Sequence, residues 1–146
     1  MNKSVKLICF LIIGALLVLP VSAESATPYS SAFFYSYDAS LYKADTTELF
    51  IYFDVVGVGA MEELGSSCIK IQRSADGINW ITAKTFYPSS YPQMICNNTG
   101  FVYDYVPYSA YADYYYRAHV TFYAKNSRGT GEMYQYTETI YIPPFS

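Results

Sequence analysis

From Tyr114 to Ala124 the residues alternate without a break: Tyr114, Tyr116, Ala118, Val120, Phe122 and Ala124 take one parity, and Tyr115, Arg117, His119, Thr121 and Tyr123 take the other. A period of two is the spacing of a β-strand with one buried face, and it cannot be laid on a helix without scattering the apolar residues around the axis. The stretch Glu48–Val56 repeats the pattern, with Leu49, Ile51, Phe53 and Val55 on one side and Glu48, Phe50, Tyr52 and Asp54 on the other. No segment sustains a 3.6-residue period. The chain holds 18 Tyr and 9 Phe, residues that suit a pleated, half-buried surface. An all-β fold is expected.

Punctuation divides the chain into about seven strands. Ala32–Lys43 reads as the first and Glu48–Val56 as the second, followed by a glycine-rich loop over 57–66. Cys68–Arg73 and Ile78–Phe86 flank Ser74-Ala75-Asp76-Gly77, where Asp-Gly supplies the positive φ of a tight hairpin turn. A polar loop over 87–100 leads to Phe101–Val106, which stops at Pro107. The Tyr114–Ala124 strand turns through 125–131 into a last strand, Glu132–Ile142. Short strands separated by turn signals suggest an antiparallel sandwich.

The N-terminus reads as an address. Lys3 and Lys6 precede an apolar run from Leu7 to Leu19, then Pro20 and the small residues Val21-Ser22-Ala23. That is the layout of a cleaved signal peptide, and the run is short of the roughly 20 residues that cross a bilayer. Residues 1–23 are therefore expected to be the signal, 24–31 a flexible lead-in and 32–146 the domain. The expectation is a secreted, extracellular protein with no membrane span after cleavage. Cleavage removes two lysines and no acid from a chain of net charge −3, so nucleic acid, which is bound through clustered Lys and Arg, is not an expected partner. Beyond the signal, Cys68 and Cys96 are the remaining cysteines. An even pair in an exported chain predicts a disulfide, closing a loop of about 29 residues and contributing about 3–4 kcal/mol.

A resemblance appears at the level of pattern. The hairpin Ile69-Lys70-Ile71-Gln72-Arg73-Ser74-Ala75-Asp76-Gly77-Ile78-Asn79-Trp80 resembles the C–C′ hairpin of fibronectin type III and related immunoglobulin-like sandwiches. Tyr114–Val120 is similar to their F strand, which would make Tyr114 or Tyr116 a corner tyrosine bonding the preceding turn. The cysteine spacing departs from that of antibody domains, and Trp80 comes later than the usual buried aromatic. The whole chain also resembles small exported proteins of Gram-positive bacteria grouped as a domain of unknown function. That resemblance implies a compartment and a fold and carries no activity.

Catalytic chemistry finds little to work with. His119 is the only histidine, placed in mid-strand among tyrosines, and both later cysteines are assigned to the disulfide, which leaves no thiol nucleophile. Asp38, Asp54, Glu62, Glu63, Asp76 and Asp104 show no spacing that singles out an acid pair. Gly57-Val58-Gly59 lacks the lysine of a phosphate loop, and Asp38, Asp45, Thr46, Thr47 and Glu48 fit no calcium loop. No cofactor, no metal and no catalytic residues are expected. Aromatics remain. Tyr103, Tyr105, Tyr114 and Tyr116 read as core or corner residues, whereas Phe50, Tyr52, Tyr115 and Tyr123 lie on opposite strand faces and can form an exposed binding surface. Such a surface would anchor an extracellular protein, or stack on a glycan; cross-strand aromatic pairing for sheet stability is the alternative.

Overall fold

The computed structural model describes residues 32–144; residues 1–31 and 145–146, and with them the expected signal and lead-in, lie outside the described residues. Every strand belongs to one antiparallel sheet. β1 (Phe34–Lys43) turns through 44–47 into β2 (Glu48–Ser74), and β3 (Ile81–Phe86) leads by a short 3-10 helix, Pro92–Met94, to β4 (Ile95–Ser109). β5 (Tyr114–Asn126), β6 (Gly129–Tyr136) and β7 (Ile140–Ile142) complete the chain. The seven strands match the expected number, but not all the expected boundaries.

The main difference is β2. The two strands expected at 48–56 and 68–73 are one strand of 27 residues. Its first part lies between β1 and β4, its middle around 63–65 between β4 and β5, and its last part, 69–73, between β3 and β5. The glycine-rich stretch read as a loop stays paired and carries two bulges instead, with register shifts between Val56 and Met61 against β4 and between Ser66 and Cys68 against β5. Bulges let one strand bend from one layer into the next. Gly65 is fixed by this bend: its φ is +148°, and a Cβ there would overlap the Met94 carbonyl.

The sheet thus folds on itself into a sandwich. β1, the first half of β2 and β4 form one layer; β3, the second half of β2, β5, and β6 with β7 form the other. In immunoglobulin-like terms these orders are A-B-E and C′-C-F-G. Leu49, Ile51, Phe53 and Val55 face Ile69, Ile71, Tyr116, Ala118, Val120, Phe122 and Ala124 in one buried core. Rings meet across it, Tyr108 on Tyr116 at 5.8 Å and Tyr37 on Phe122 at 5.0 Å. Fully burying each large apolar side chain contributes about 1.5–3 kcal/mol.

Tyr116 is the corner tyrosine. Its hydroxyl accepts from the Tyr111 N–H at 2.8 Å and donates to the Tyr111 carbonyl at 3.1 Å, tying down the turn between β4 and β5. The Asp-Gly turn also forms, with Gly77 at φ +74°. Asp76 Oδ1 accepts from the Ile78 and Asn79 N–H groups at 2.9 and 2.8 Å, and these bonds hold its carboxyl well below the usual range. The expected last strand splits at Thr137. The Thr137 hydroxyl accepts from the Ala118 N–H at 2.9 Å in place of a backbone carbonyl.

One expectation is corrected outright. Cys68 and Cys96 are free thiols. Cys96 is opposite Leu64 on β4, whereas Cys68 is opposite Thr121, further along β2 on its other edge. At about 3.3 Å per residue, the register sets them farther apart than the Cα spacing of about 4.4–6.8 Å that a disulfide tolerates.

Candidate docking surface

The outward side chains of the β1–β2–β4 layer follow from parity. On β4, Val102, Val106 and Tyr108 are buried in the core, so Phe101, Tyr103 and Tyr105 point out. The register sets Tyr42 beside Phe50, Tyr52 beside Tyr105, Asp54 beside Tyr103 and Val56 beside Phe101. The rings touch one another: Phe50–Tyr105 at 4.8 Å, Tyr52–Tyr105 at 5.3 Å, Tyr52–Tyr103 at 5.7 Å and Phe50–Tyr52 at 6.2 Å. Tyr103 is 60% exposed, Tyr42 58%, Phe101 57% and Tyr105 41%. Removal from water and then the neighbouring Tyr103, Tyr105 and Tyr42 phenols push the Tyr52 phenol up.

Carboxylates border these rings. Asp38 and Asp54 are directly opposed across β1 and β2, a like-charge pairing that destabilises a sheet. Partial burial, then Asp38, holds the Asp54 carboxyl above its usual range. Gln135 Nε2 donates to Asp38 Oδ1 at 2.8 Å. Beside it a cleft of about 240 Å³ is lined by Asp38, Gln135, Tyr136 and Glu138 among others.

The expected surface of Phe50, Tyr52, Tyr115 and Tyr123 is not one patch. Phe50 and Tyr52 belong to this layer, while Tyr115 and Tyr123 lie on β5 in the opposite layer. All four are half-buried. Tyr115 packs on Tyr141 at 4.8 Å, and Tyr123 lies near Glu63 and Lys125, which pair at 3.0 Å. Tyr103 and Tyr105, grouped from sequence with Tyr114 and Tyr116, are the exposed centre of the patch. The signal that separates them is the aliphatic parity of Val102 and Val106.

The opposite layer carries its own aromatics, and three of their clusters hold a cation. The Arg117 guanidinium lies between Trp80 and Tyr136, 4.3 and 4.6 Å from the ring centres, and its Nε donates to Gln72 Oε1 at 2.8 Å. Arg73 lies between Tyr114 and Tyr111 at 5.0 and 5.6 Å. Lys84 covers Phe86 at 4.7 Å and Tyr91 at 5.7 Å. His119 stacks on Tyr136 at 4.6 Å and Tyr134 at 5.4 Å. Partial burial, then Lys70 and Arg117, pushes its pKa down, so its immediate electrostatic surroundings are cationic and not those of a base steadied by a carboxylate. Among the described residues, no group of three or more His, Cys, Asp and Glu is placed to hold a metal ion.

No protein-family model matches the chain, and no characterised protein matches it in sequence.

Proposed function

We propose that residues 1–23 direct export and that the domain acts outside the cell as a non-catalytic module, docking another protein on the Tyr42–Phe50–Tyr52–Tyr103–Tyr105–Phe101 face. The observation that carries this reading is four mutually packed rings, Phe50, Tyr52, Tyr103 and Tyr105, on one open sheet face, with Tyr103 and Tyr105 exposed and the exposed Tyr42 and Phe101 beside them in register. Soluble monomers rarely leave apolar patches of more than a few hundred Å² open unless they are used. Aromatic side chains suit such use because they bury large areas at little cost in side-chain freedom. Export rests on the charged, apolar and small-residue sequence of the first 23 positions; an N-terminus at Glu24 in secreted material is the expected result.

The ring geometry favours protein over glycan. Sugar stacking calls for flat, outward-turned rings, whereas Phe50–Tyr105, Tyr52–Tyr105 and Phe50–Tyr52 are inclined at 39°, 45° and 80°. Tyr52 and Tyr103 are nearly parallel at 20° but lie against each other. Nor does the cleft beside Asp38 offer a free platform, since its Tyr136 ring already stacks on Arg117. A photo-crosslinking residue placed at Tyr103 tests the reading in the producing cell. Discrete protein adducts are expected there and not from Tyr134 on the far layer. Equal labelling from both positions, or none from Tyr103, would overturn it.

A further inference from the structure

The molecule contains its own comparison for what an aromatic cluster of this kind accepts. In the β3–β2–β5–β6 layer and at its ends, three clusters hold a cation: Arg117 between Trp80 and Tyr136, Arg73 between Tyr111 and Tyr114, and Lys84 over Phe86 and Tyr91. The ring face carries the negative end of its quadrupole, which attracts ammonium and guanidinium groups. Among the described residues, no Arg or Lys stacks on Tyr42, Phe50, Tyr52, Phe101, Tyr103 or Tyr105. That face has carboxylates instead. Asp38 and Asp54 oppose each other beside Tyr103, and Glu48 stands at the far end opposite Ser109. We infer that the occupant is a protein segment presenting arginine or lysine side chains, seated over the tyrosine rings with Asp38 and Asp54 as counter-charges. The inference rests on the docking surface proposed above and specifies the chemistry of its partner.

Charge selects against the other occupants. A second copy would bring Asp38, Asp54 and Glu48 against their own kind. A phosphate-rich or sulfated polymer would meet the same repulsion. A small quaternary ammonium ion needs rings closed around it, and these lie side by side on an open sheet. Arginine fits best, since its planar guanidinium both stacks on rings and pairs bidentately with a carboxylate.

The test uses the mature chain with fluorescent dodecapeptides of alternating Arg-Ser and Glu-Ser, read by anisotropy at physiological salt. Tyr103→Ser with Tyr105→Ser, and Asp38→Asn with Asp54→Asn, are each expected to weaken Arg-Ser binding at least tenfold. Glu62→Gln with Glu132→Gln, which removes as much charge away from this face, is expected to leave it unchanged, and Glu-Ser is expected not to bind. Urea midpoints confirm that each variant is folded. Equal weakening by the Glu62/Glu132 pair would mean diffuse attraction and overturn the inference, as would unchanged binding in either face variant or equal binding of Glu-Ser. The two readings fail differently. A protein adduct at Tyr103 that survives Asp38→Asn with Asp54→Asn sinks the cationic partner and leaves the docking face standing. Self-association lost with Tyr103→Ser does likewise, naming a second copy. No adduct and no peptide binding sinks both.

Discussion

Replacing Tyr116 by Phe removes a single oxygen atom, and the structure says what that oxygen does. The ring is fully buried and its packing on Tyr108 at 5.8 Å is preserved in Phe. What disappears are the hydroxyl's bonds with the Tyr111 N–H at 2.8 Å and carbonyl at 3.1 Å. Burial pushes the Tyr116 phenol above its usual range, so the proton is retained for donation across neutral pH. Each bond contributes about 0.5–1.5 kcal/mol net, and a backbone group left unpaired costs about 1–3 kcal/mol. Both bonds are lost at once, so their net contributions add. The expected loss is about 1–3 kcal/mol, which for a domain near this size lowers Tm by about 4–12 °C. Urea unfolding measures it, with the m-value unchanged because the surface exposed on unfolding is the same. Tyr103→Phe on the open face serves as the comparison and is expected to shift stability by less than about 0.5 kcal/mol. Equal effects at positions 103 and 116 would refute the corner's role.

Gly65→Ala is expected to cost about 2 kcal/mol or more, because the new Cβ meets the Met94 carbonyl and the positive φ disfavours a side chain; an expressed variant with wild-type melting would contradict the bend at β2. Cys68→Ser and Cys96→Ser should each change stability by less than about 1 kcal/mol, and both thiols should alkylate in the unreduced, unfolded chain. Loss of a native disulfide would instead cost about 2–5 kcal/mol. Asp54 has its folded pKa raised above the unfolded value, so its ionised form disfavours the fold. Its contribution is absent at low pH and becomes unfavourable as pH rises from about 4 through the raised native pKa. Asp54→Asn is therefore expected to be at least as stable as the parent at pH 7 and to flatten that part of the pH profile; urea midpoints from acid to neutral pH decide, and a less stable variant with the parent's slope would refute it.

What could be read in the sequence was local. The alternation in Glu48–Val56 and Tyr114–Ala124 identified their core faces: Leu49, Ile51, Phe53, Val55, Tyr116, Ala118, Val120, Phe122 and Ala124 are buried, and Tyr114 is half-buried against the core. Asp76-Gly77 was legible because it acts over fewer than six positions, whereas the corner tyrosine came only as an implication of the F-strand resemblance, open between Tyr114 and Tyr116 until the bonds of Tyr116 decided it. What failed depended on partners distant in sequence. Gly57, Gly59 and Gly65 carry the same signal whether the chain leaves the sheet or bulges within it, and only β4 and β5 pairing alongside decides. Cys68 and Cys96 looked paired by count, yet their separation is a property of register. Phe101, Tyr103 and Tyr105 share one parity, but Asp104 stands on the other with Val102 and Val106, so the run's one charge pointed to the wrong face as the wet one.

Cross-strand aromatic pairs stabilise a sheet by about 0.2–1 kcal/mol each, and Tyr52 with Tyr105 could be retained for that reason alone. The same reasoning does not extend to Asp38 and Asp54. A chain selected only to hold the β1–β2–β4 layer together has no use for two carboxylates directly opposed across it, when Asn or Thr at either position would end the repulsion and keep the pleat. On its other layer the chain builds a cation, Arg117, in between Trp80 and Tyr136. Local conflict left standing in an otherwise consistent fold is where function tends to reside. If Asp54→Asn gains stability and loses a cationic ligand, the conflict is explained by what it binds. If it gains stability and loses nothing, the carboxylates have no such purpose, and the tyrosines are left with sheet pairing as their whole account.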